Sequence, residues 1–493
     1  MNIRKLYIAV SSLLVGSMAT QAQTDEKITY RLEEGTTLST GEHAPFWLTA
    51  NRQGLASIER NSGYLKIGAF RPLEKGKDLS YSWGMDVALV SGLDSRVIMQ
   101  QAYLDVRYKG WQLSVGSKER DGELKNQQLS SGALVFSGNA RPIPQVRFEV
   151  PEYLAVPYTN GWIGFKGHIA YGRFTDDDWQ REFVTPGGKR TENVLMHSKA
   201  LYIKVGREDR SRLQFEGGLE MAAQFGGTLI NGNNRIHMYE GIEDFWKVLV
   251  PASGGSSTPI GEQTNIYGNQ LGSWNMSLNY RIGGGWNIRP YYQHYFEDHS
   301  MMRAEYAWKD GLKGIEITFP KNPVVSSLVY EYLGTKDQSG PVYWDATPTL
   351  SEQISATDDY YNHSLYTGWQ HYGMGIGNPL VASPIYNKNG EIRFQSTRVL
   401  ARHFGISGNP TSELSYRMLL SLTRNWGTYS VPFYEIKREG SALVEVRYTP
   451  TQMNGWSFTL AGALDQGSML GNNRGGMLTI TKRGFLSMKG GRK

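Results

Sequence analysis

The chain of 493 residues contains no cysteine. This absence excludes a disulfide framework, a thiolate zinc site, a cysteine nucleophile and an acylated lipoprotein cysteine. Charged residues make up only 20% of the chain, and the formal net charge of +6 is small for this length. Because the lysines and arginines are spread along the sequence, there is no basic footprint for a nucleic acid.

Long apolar segments are also scarce. No internal stretch is apolar over the ~20 residues that a membrane-spanning helix needs, so a transmembrane protein with this sequence would have to be a β-barrel. At the N-terminus, Arg4 and Lys5 precede the largely apolar stretch 6–16, and small residues follow it. This pattern predicts a signal peptide over residues 1–22, cleaved after Ala22, and export from the cytoplasm.

Glycine and aromatic residues are abundant, with 57 Gly, 13 Trp, 29 Tyr and 17 Phe, which favours strands and tight turns. Many segments alternate apolar and polar residues at period two. The polar faces carry charges of both signs, and the apolar faces begin or end in Trp or Tyr, as in outer-membrane barrels. The residues expected to face lipid include Trp83, Met85, Val87, Trp274, Met276, Leu278, Met418 and Leu420.

The opposite faces of these segments are expected to line a polar lumen. There, Asp86 and Ser277 are expected to tolerate polar exchange. The inward charges are interpreted as a network that rigidifies the barrel, with arginines near the outer rim as alternative contacts for acidic sugars. The charged residues placed inward are Arg281, Arg289, Arg393, Arg402, Arg417, Arg447, Asp86, Asp105, Glu216, Glu220, Glu316 and Glu445.

Turns and strand parity predict the size of the barrel. Gly-Trp pairs at 110–111, 161–162, 285–286 and 455–456 indicate tight periplasmic turns, which alternate with long connections. Adding 46–54 to the other candidates gives 18 strands, and without 46–54 and 132–137 the count is sixteen. The other candidates are 64–70, 79–91, 96–108, 111–117, 132–137, 162–174, 198–206, 211–222, 272–282, 286–297, 314–319, 325–333, 392–406, 412–425, 442–449, 456–463 and 476–486.

The sequence therefore predicts an all-β fold, a transmembrane antiparallel β-barrel of about 18 strands. A single domain is expected over residues 23–493, with both termini in the periplasm and long extracellular loops at 223–271 and 334–391. Within the first loop, Ile242, Phe245, Trp246 and Leu249 fall at helical spacing and predict a short helix packed on or into the barrel mouth.

The second loop has the composition of a carbohydrate site. Aromatic faces stack on sugar rings, and neighbouring polar groups bond sugar hydroxyls. An alternative is a structural lid, because buried aromatic residues are common in folded loops. The candidate binding residues are Asp359, Tyr361, Asn362, His363, Trp369 and Tyr372.

The stretch 361–369, YNHSLYTGW, followed by Gly373, Gly375, Gly377 and Asn378-Pro379, resembles the signature region of the capsule assembly Wzi family. The blocks 161–179, 197–201 and 319–331 are similar to the family's order of segments. The resemblance implies an eighteen-stranded outer-membrane barrel whose surface loops bind capsular polysaccharide and help attach the capsule. It also implies a periplasmic helical plug, although 23–60 and 138–161 show no helical bundle.

Catalysis and metal binding are not expected. Asn362-His363-Ser364 and Asp298-His299-Ser300 have the residue types of hydrolases, but triad residues normally come from separate elements. Asp176 to Asp178 lack the spaced ligands and turn glycine of a calcium loop. The predicted function is a non-enzymatic, lectin-like monomer of the outer membrane that contacts lipid and binds surface polysaccharide without a cofactor. The alternative is a diffusion porin, which conductance would distinguish.

Overall fold

A computed structural model describes residues 28–250, 268–297, 302, 308–320, 324–339, 343–344, 354–355 and 358–486. The predicted signal peptide and the segment 298–300 lie outside these ranges. No helix in the described ranges is long and apolar enough to cross a membrane.

Eighteen strands form one antiparallel sheet, and β1 pairs with both β2 and β25, which closes the sheet into a barrel. The barrel strands are β1 (Ile28–Thr40), β2 (Asn61–Arg71), β3 (Leu79–Ser91), β4 (Val97–Tyr108), β5 (Trp111–Ser117), β6 (Gln145–Ala155), β7 (Ile163–Arg173), β9 (Leu195–Val205), β10 (Leu213–Phe225), β13 (Asn269–Gly283), β14 (Trp286–Glu297), β15 (Gly311–Thr318), β16 (Ser327–Gly334), β21 (Val399–Gly408), β22 (Leu414–Gly427), β23 (Pro432–Tyr448), β24 (Trp456–Gly467) and β25 (Asn473–Leu486).

The remaining elements lie in the connections between barrel strands. The short strands are β8 (Arg190–Glu192), β11 (Thr228–Asn231), β12 (Asn234–His237), β17 (Tyr343–Trp344), β18 (Ile354–Ser355), β19 (Gln370–His371) and β20 (Met374–Gly375). The helices are α1 (Phe46–Thr49), α2 (Asp177–Phe183), α3 (Ile242–Leu249) and a 3-10 turn at Pro384–Tyr386.

The predicted lipid-facing and lumen-facing sides of the strands are confirmed where the alternation is regular. The exposed fraction of the side chain is 49% for Met85 and 39% for Leu278, whereas Asp86 is fully buried. Asp86 accepts a hydrogen bond from Arg31, and Lys66 lies 3.9 Å from it. The apolar side chains therefore point away from the lumen, which contains the charge pairs.

The two ends of the barrel differ in the length of their connections. All four predicted Gly-Trp turns lie at the end where β1 begins and β25 ends, and their glycines have positive φ values between 77° and 92°. We call this the short-turn end. The opposite, long-loop end has connections such as 118–144, 174–194 and 335–398.

The predicted count of 18 strands is confirmed, but two of the predicted strands are wrong. Residues 46–54 contain helix α1 instead of a strand, and the first strand is β1. Residues 132–137 form irregular buried chain, and the strand follows at β6. Both apolar segments pack inside the barrel rather than against lipid. They are hydrophobic because they are buried in the lumen, and not because they form membrane-spanning strands.

The long-loop half of the lumen is filled by three segments, 41–60, 118–144 and 358–398, which we call the lumen plug. The carboxylate of Glu331 on β16 anchors it by accepting hydrogen bonds from Ser130 Oγ (2.6 Å), Ser131 N (2.7 Å) and Tyr291 OH (2.5 Å). The described part of the plug contains no helical bundle; its only helix is the single turn of α1, and the rest is loop, 3-10 turn and the short β19–β20 hairpin.

Helix α3 packs on the outer wall of the barrel and not into its mouth. Tyr171 OH donates to Phe245 O (2.9 Å), and Lys199 Nζ donates to Val248 O (2.8 Å). Tyr171 and Lys199 share the outward side of β7 and β9 with the exposed Ile169 and Leu201.

The predicted inward position of Arg402 is wrong. Its neighbour His403 faces inward and bonds Leu129 O (2.7 Å), so Arg402 points outward between Tyr332 and Leu422 of the adjacent strands. The sequence pattern could not show which of the two residues faces the lumen, because His403 and Arg402 are both polar.

Candidate functional site

Two of the predicted stacking residues, Tyr361 and Trp369, are buried in the lumen plug. Trp369 Nε1 donates to Val135 O (2.7 Å), and Tyr361 OH donates to Leu134 O (2.6 Å). Their exposed fractions are 0% and 1%. A Cβ atom at Gly377 would lie 2.3 Å from Tyr361 OH, so this part of the signature stretch is fitted to close packing. Both rings join the segment 358–398 to the segment 118–144.

Tyr372 lies apart from the other candidate residues. Its ring lies under the guanidinium of Arg141, at 4.1 Å from the centroid, and its hydroxyl donates to Thr175 O (2.7 Å). Burial raises the pKa of Tyr372, so the phenol stays protonated and keeps this hydrogen bond at neutral pH.

The other three candidates, Asp359, Asn362 and His363, lie together in a cavity of about 360 Å³ at the long-loop end. This volume is near the lower end of the range for small-ligand sites. The cavity, which we call the rim pocket, is lined by Lys189, Asp359, Asn362, His363, Ser364, Tyr366, Thr367, Ile392 and Arg393.

The carboxylate and the amide in the rim pocket are already engaged by the protein. Asp359 Oδ1 accepts hydrogen bonds from Asn362 Nδ2 (3.0 Å) and Thr397 Oγ1 (2.9 Å), and Oδ2 accepts one from Arg393 Nη2 (3.1 Å). The Asn362 amide also bonds both the N–H and the C=O of Phe394 at 2.9 Å. Asp359 and Asn362 therefore position Arg393 and the chain around it.

Two cations remain as charged contacts for a ligand. Arg393 Nη2 also donates to Thr428 Oγ1 (3.2 Å) and Ser430 Oγ (3.0 Å). Lys189 Nζ donates to His363 O (2.6 Å), and no carboxylate of the described residues forms an ion pair with it. Burial and, to a smaller extent, Arg393 lower the pKa of Lys189 to about 8, against the opposing effect of Asp359.

His363 is a neutral member of the rim pocket. Burial, with a smaller effect of Lys189, lowers its pKa to about 3. Its Nδ1 accepts a hydrogen bond from Leu365 N (3.2 Å), which assigns the proton to Nε2. With one carboxylate against two cations, the pocket carries a net positive charge at neutral pH.

The three carboxylates of Asp176, Asp177 and Asp178 have separate partners. Asp176 accepts hydrogen bonds from Gln370 and the Tyr372 N–H, whereas Asp177 accepts one from Asn193 N and Asp178 pairs with Arg181. Within the described ranges, no group of three or more His, Asp or Glu residues is placed to hold a metal ion.

Below the plug, the lumen contains two polar cavities toward the short-turn end. They measure about 550 Å³ and 430 Å³, and neither shares a lining residue with the rim pocket. Buried apolar side chains of the plug, including Leu48, Leu129 and Leu134, lie in the lumen between the two ends. The described chain therefore separates the rim pocket from the lower lumen.

A family model described as capsule assembly protein Wzi matches residues 13–381. The chain belongs to this family. The membership and the closed barrel with its apolar outer belt place this Wzi-family protein in the outer membrane.

Among the solved structures compared, that of Wzi from Escherichia coli shows the same fold. The structure of Wzi, an outer membrane protein involved in group 1 capsule assembly in Escherichia coli and a carbohydrate-binding β-barrel, aligns with a TM-score of 0.56 and 12% identity, covering 97% of this chain and 86% of that one. OccK5 of Pseudomonas aeruginosa aligns with a TM-score of 0.48 and 8% identity over 94% and 99% of the two chains. OccAB4 of Acinetobacter baumannii gives 0.47 and 8% over 94% and 99%. The search of curated proteins gives no match.

The sequence did not indicate Lys189 as a site residue, and it assigned Arg393 to a strand. Lys189 lies between α2 and β8, and it reaches the other pocket residues only through the fold. A single lysine in a polar loop carries no local signal, so the long-range contact itself would be needed to find it.

Proposed function

We propose that this Wzi-family protein binds capsular polysaccharide or exopolysaccharide at the cell surface and helps to attach it. The rim pocket is the binding site in this proposal, and no catalytic group or cofactor takes part. The observation that carries the proposal is the cavity with Lys189 and Arg393 at its wall, built on the signature stretch of the family.

The orientation of the barrel supports access to polysaccharide. Outer-membrane barrels have short periplasmic turns and longer extracellular loops. In this proposal the long-loop end, with the rim pocket and the connections 226–268 and 335–398, faces outside the cell. The closed sheet leaves no strand edge for pairing with a second chain, which supports a monomer.

The charges in the rim pocket favour an acidic sugar. Because Asp359 and Asn362 are occupied by internal hydrogen bonds, the groups left for a ligand are mainly the two cations, Ser364 and the Nε2–H of His363. A sugar carboxylate bridging Lys189 and Arg393 would neutralise the excess charge through charge-assisted hydrogen bonds. Neutral sugars would leave this charge without a partner.

The test compares a glucuronate-containing oligosaccharide with its carboxyl-reduced form in titrations with the purified protein. Lys189→Gln and Arg393→Gln should each weaken binding of the acidic form by roughly tenfold, as expected for loss of a charge-assisted hydrogen bond of about 1.5 kcal/mol. Lys388→Gln is the matched control, because Lys388 is an exposed cation of the same loop that pairs with Glu42. Equal binding of both oligosaccharides, or equal losses in all three variants, would contradict the assignment.

The porin alternative requires an open lumen. The lumen plug fills the long-loop half of the barrel with buried apolar side chains, so planar-bilayer recordings should show little current through the wild-type protein. Stable open-channel steps of the wild-type protein would favour the porin.

A further inference from the structure

Three arginines cluster on the outward face of the barrel near its long-loop end. Arg402, Arg424 and Arg438 lie on the neighbouring strands β21, β22 and β23, and all three are exposed. Strand pairing places them on the same side of the sheet as the exposed Phe404, Leu420, Leu422 and Val444.

The strand register brings the three charges close together. Arg424 lies directly opposite Arg438, and Arg402 lies opposite Leu422, one diagonal step from Arg424. Directly opposed residues of an antiparallel pair have Cβ atoms about 5 Å apart, and diagonal neighbours are about 7–8 Å apart. Like charges directly opposite each other destabilise a sheet, and an anion bound between them would offset this repulsion.

The protein does not supply that anion from its described residues. Within the ranges that the structure covers, none of the three guanidinium groups forms an ion pair with a carboxylate. Trp426 lies two residues beyond Arg424. The ammonium group of Lys336 lies over the Trp426 ring, with Nζ at 4.6 Å from the centroid. The surroundings therefore add positive charge and an aromatic ring.

The position of the cluster determines the kind of anion. The apolar residues Phe404, Leu420 and Val444, which are 43%, 41% and 45% exposed, belong to the belt that contacts acyl chains. The arginines lie next to them, closer to the long-loop end and near Trp426, a residue type that marks the membrane interface. Cations at this level meet lipid headgroups, and arginine binds phosphate oxygens through paired N–H donors.

We infer that Arg402, Arg424 and Arg438 form a binding site for the phosphate groups of a lipid in the outer leaflet. The acyl chains of the bound lipid pack on Phe404 and Leu420, while its phosphates lie between the guanidinium groups. The assignment to the outer leaflet rests on the proposed orientation of the barrel, in which the long-loop end faces outside the cell. The site is separate from the rim pocket and does not depend on polysaccharide binding.

The test uses native mass spectrometry of the full-length mature protein in detergent, titrated with diphosphoryl lipid A, monophosphoryl lipid A or inorganic phosphate. The variant R402Q/R424Q/R438Q should bind diphosphoryl lipid A roughly a hundredfold more weakly, since each interfacial cation contributes a factor of roughly five. The control K75Q/R210Q/R212Q changes the same charge at the short-turn end and should bind like the wild type. Monophosphoryl lipid A should bind the wild type with lower affinity than the diphosphoryl form.

Other results would overturn the inference. Equal affinity of the wild type and the triple variant for diphosphoryl lipid A would show that the three arginines do not form a lipid-binding site. Competition by inorganic phosphate at the same concentration as the lipid would indicate a site for free anions only. If the triple variant does not fold, as judged by its heat-modifiable mobility, R424Q and R438Q are tested singly. Each should lower the affinity roughly fivefold, and no change in either would contradict the inference.

Discussion

Burial and charge act on Lys189 together. Its amine lies beside Arg393 and partly out of water, and both effects lower its pKa, to about 8. His363, which faces it, does not titrate near this pH, because burial lowers the pKa of His363 to about 3. Lys189 is therefore the group through which the rim pocket responds to mildly alkaline pH.

Binding of an acidic oligosaccharide should weaken as pH rises above neutrality. The pKa of Lys189 is lowered, so the amine is charged below a pH of about 8 and loses its charge above it. Between pH 7 and pH 9 the charged fraction falls from roughly nine-tenths to one-tenth. Titrations across this range should show a severalfold loss of affinity for the wild type. Lys189→Arg keeps its charge and should remove the pH dependence. If the affinity of this variant depended on pH as in the wild type, a group other than Lys189 would be responsible.

At the residue scale, three of the six candidate residues predicted from the sequence line the rim pocket. Asp359, Asn362 and His363 lie together there, but Tyr361 and Trp369 pack inside the plug and Tyr372 lies beside Arg141. Aromatic composition cannot separate stacking on a ligand from packing on the protein, because both uses need the same large flat side chains. Two of the side-chain hydrogen bonds that occupy Asp359 likewise come from residues more than thirty positions away, Arg393 and Thr397.

At the scale of elements, the lumen plug depends on a few buried anchors. Trp369 contacts Phe136 and Phe174, with ring centroids at 5.5 Å and 6.3 Å, in addition to its hydrogen bond to Val135. Because this indole joins two segments of the plug, its removal would leave a cavity at the junction.

Trp369→Ala should loosen the plug and raise the conductance of the barrel. Truncation of a buried tryptophan costs about 3–5 kcal/mol, which is enough to release a local segment while the strand ladder persists. Single-channel recordings of the variant, with heat-modifiable mobility as a test of folding, measure the effect. Tyr434→Ala removes a fully exposed aromatic residue at the same end and should leave the current unchanged. Loss of polysaccharide retention without any new current would instead restore Trp369 as a binding surface.

The strand elements show why a correct count can contain wrong members. The sequence pattern does not predict β1, because the adjacent Glu33 and Glu34 interrupt the alternation, and the parity of the barrel favours 46–54 in its place. β6 was likewise replaced by the apolar run 132–137, which lies in the plug. Periodicity reports a residue's surroundings, and a segment buried in a lumen has surroundings as apolar as those of a segment facing lipid.

At the scale of the whole molecule, neighbouring residues meet opposite environments across one sheet. Met85 faces the lipid belt, whereas Asp86 is fully buried beside Arg31 and Lys66. The expectation that Asp86 tolerates polar exchange does not follow from this geometry, because Asp86→Asn would remove the carboxylate that pairs with Arg31, whereas Lys66 would keep Glu33 at 3.4 Å.

Met85→Arg and Asp86→Asn should therefore fail in different ways. An arginine on the lipid face near mid-membrane costs about 2–4 kcal/mol and should reduce the inserted fraction in proteoliposomes. Loss of the buried Asp86 charge should cost about 3–5 kcal/mol, seen as a lower temperature for loss of the folded electrophoretic form after normal insertion. Met85→Leu and Ser277→Thr serve as controls on the two faces. If Asp86→Asn instead blocked insertion, the assignment of lipid-facing and lumen-facing residues would be wrong by one residue.

The seam between β1 and β25 has a consequence for the order of folding. Contacts there and in the plug join residues far apart in sequence: Phe46 N bonds Asp465 at 2.9 Å, and Trp369 bonds Val135 at 2.7 Å. Such long-range contacts make folding slow, because the entropy cost of closing a long loop arises before the contacts that offset this cost have formed. Until β25 arrives, β1 and β24 present open strand edges to the lipid, where unpaired N–H and C=O groups find no water. The final strand therefore controls when the barrel becomes stable in the membrane, and the early plug segments must already lie inside when it does.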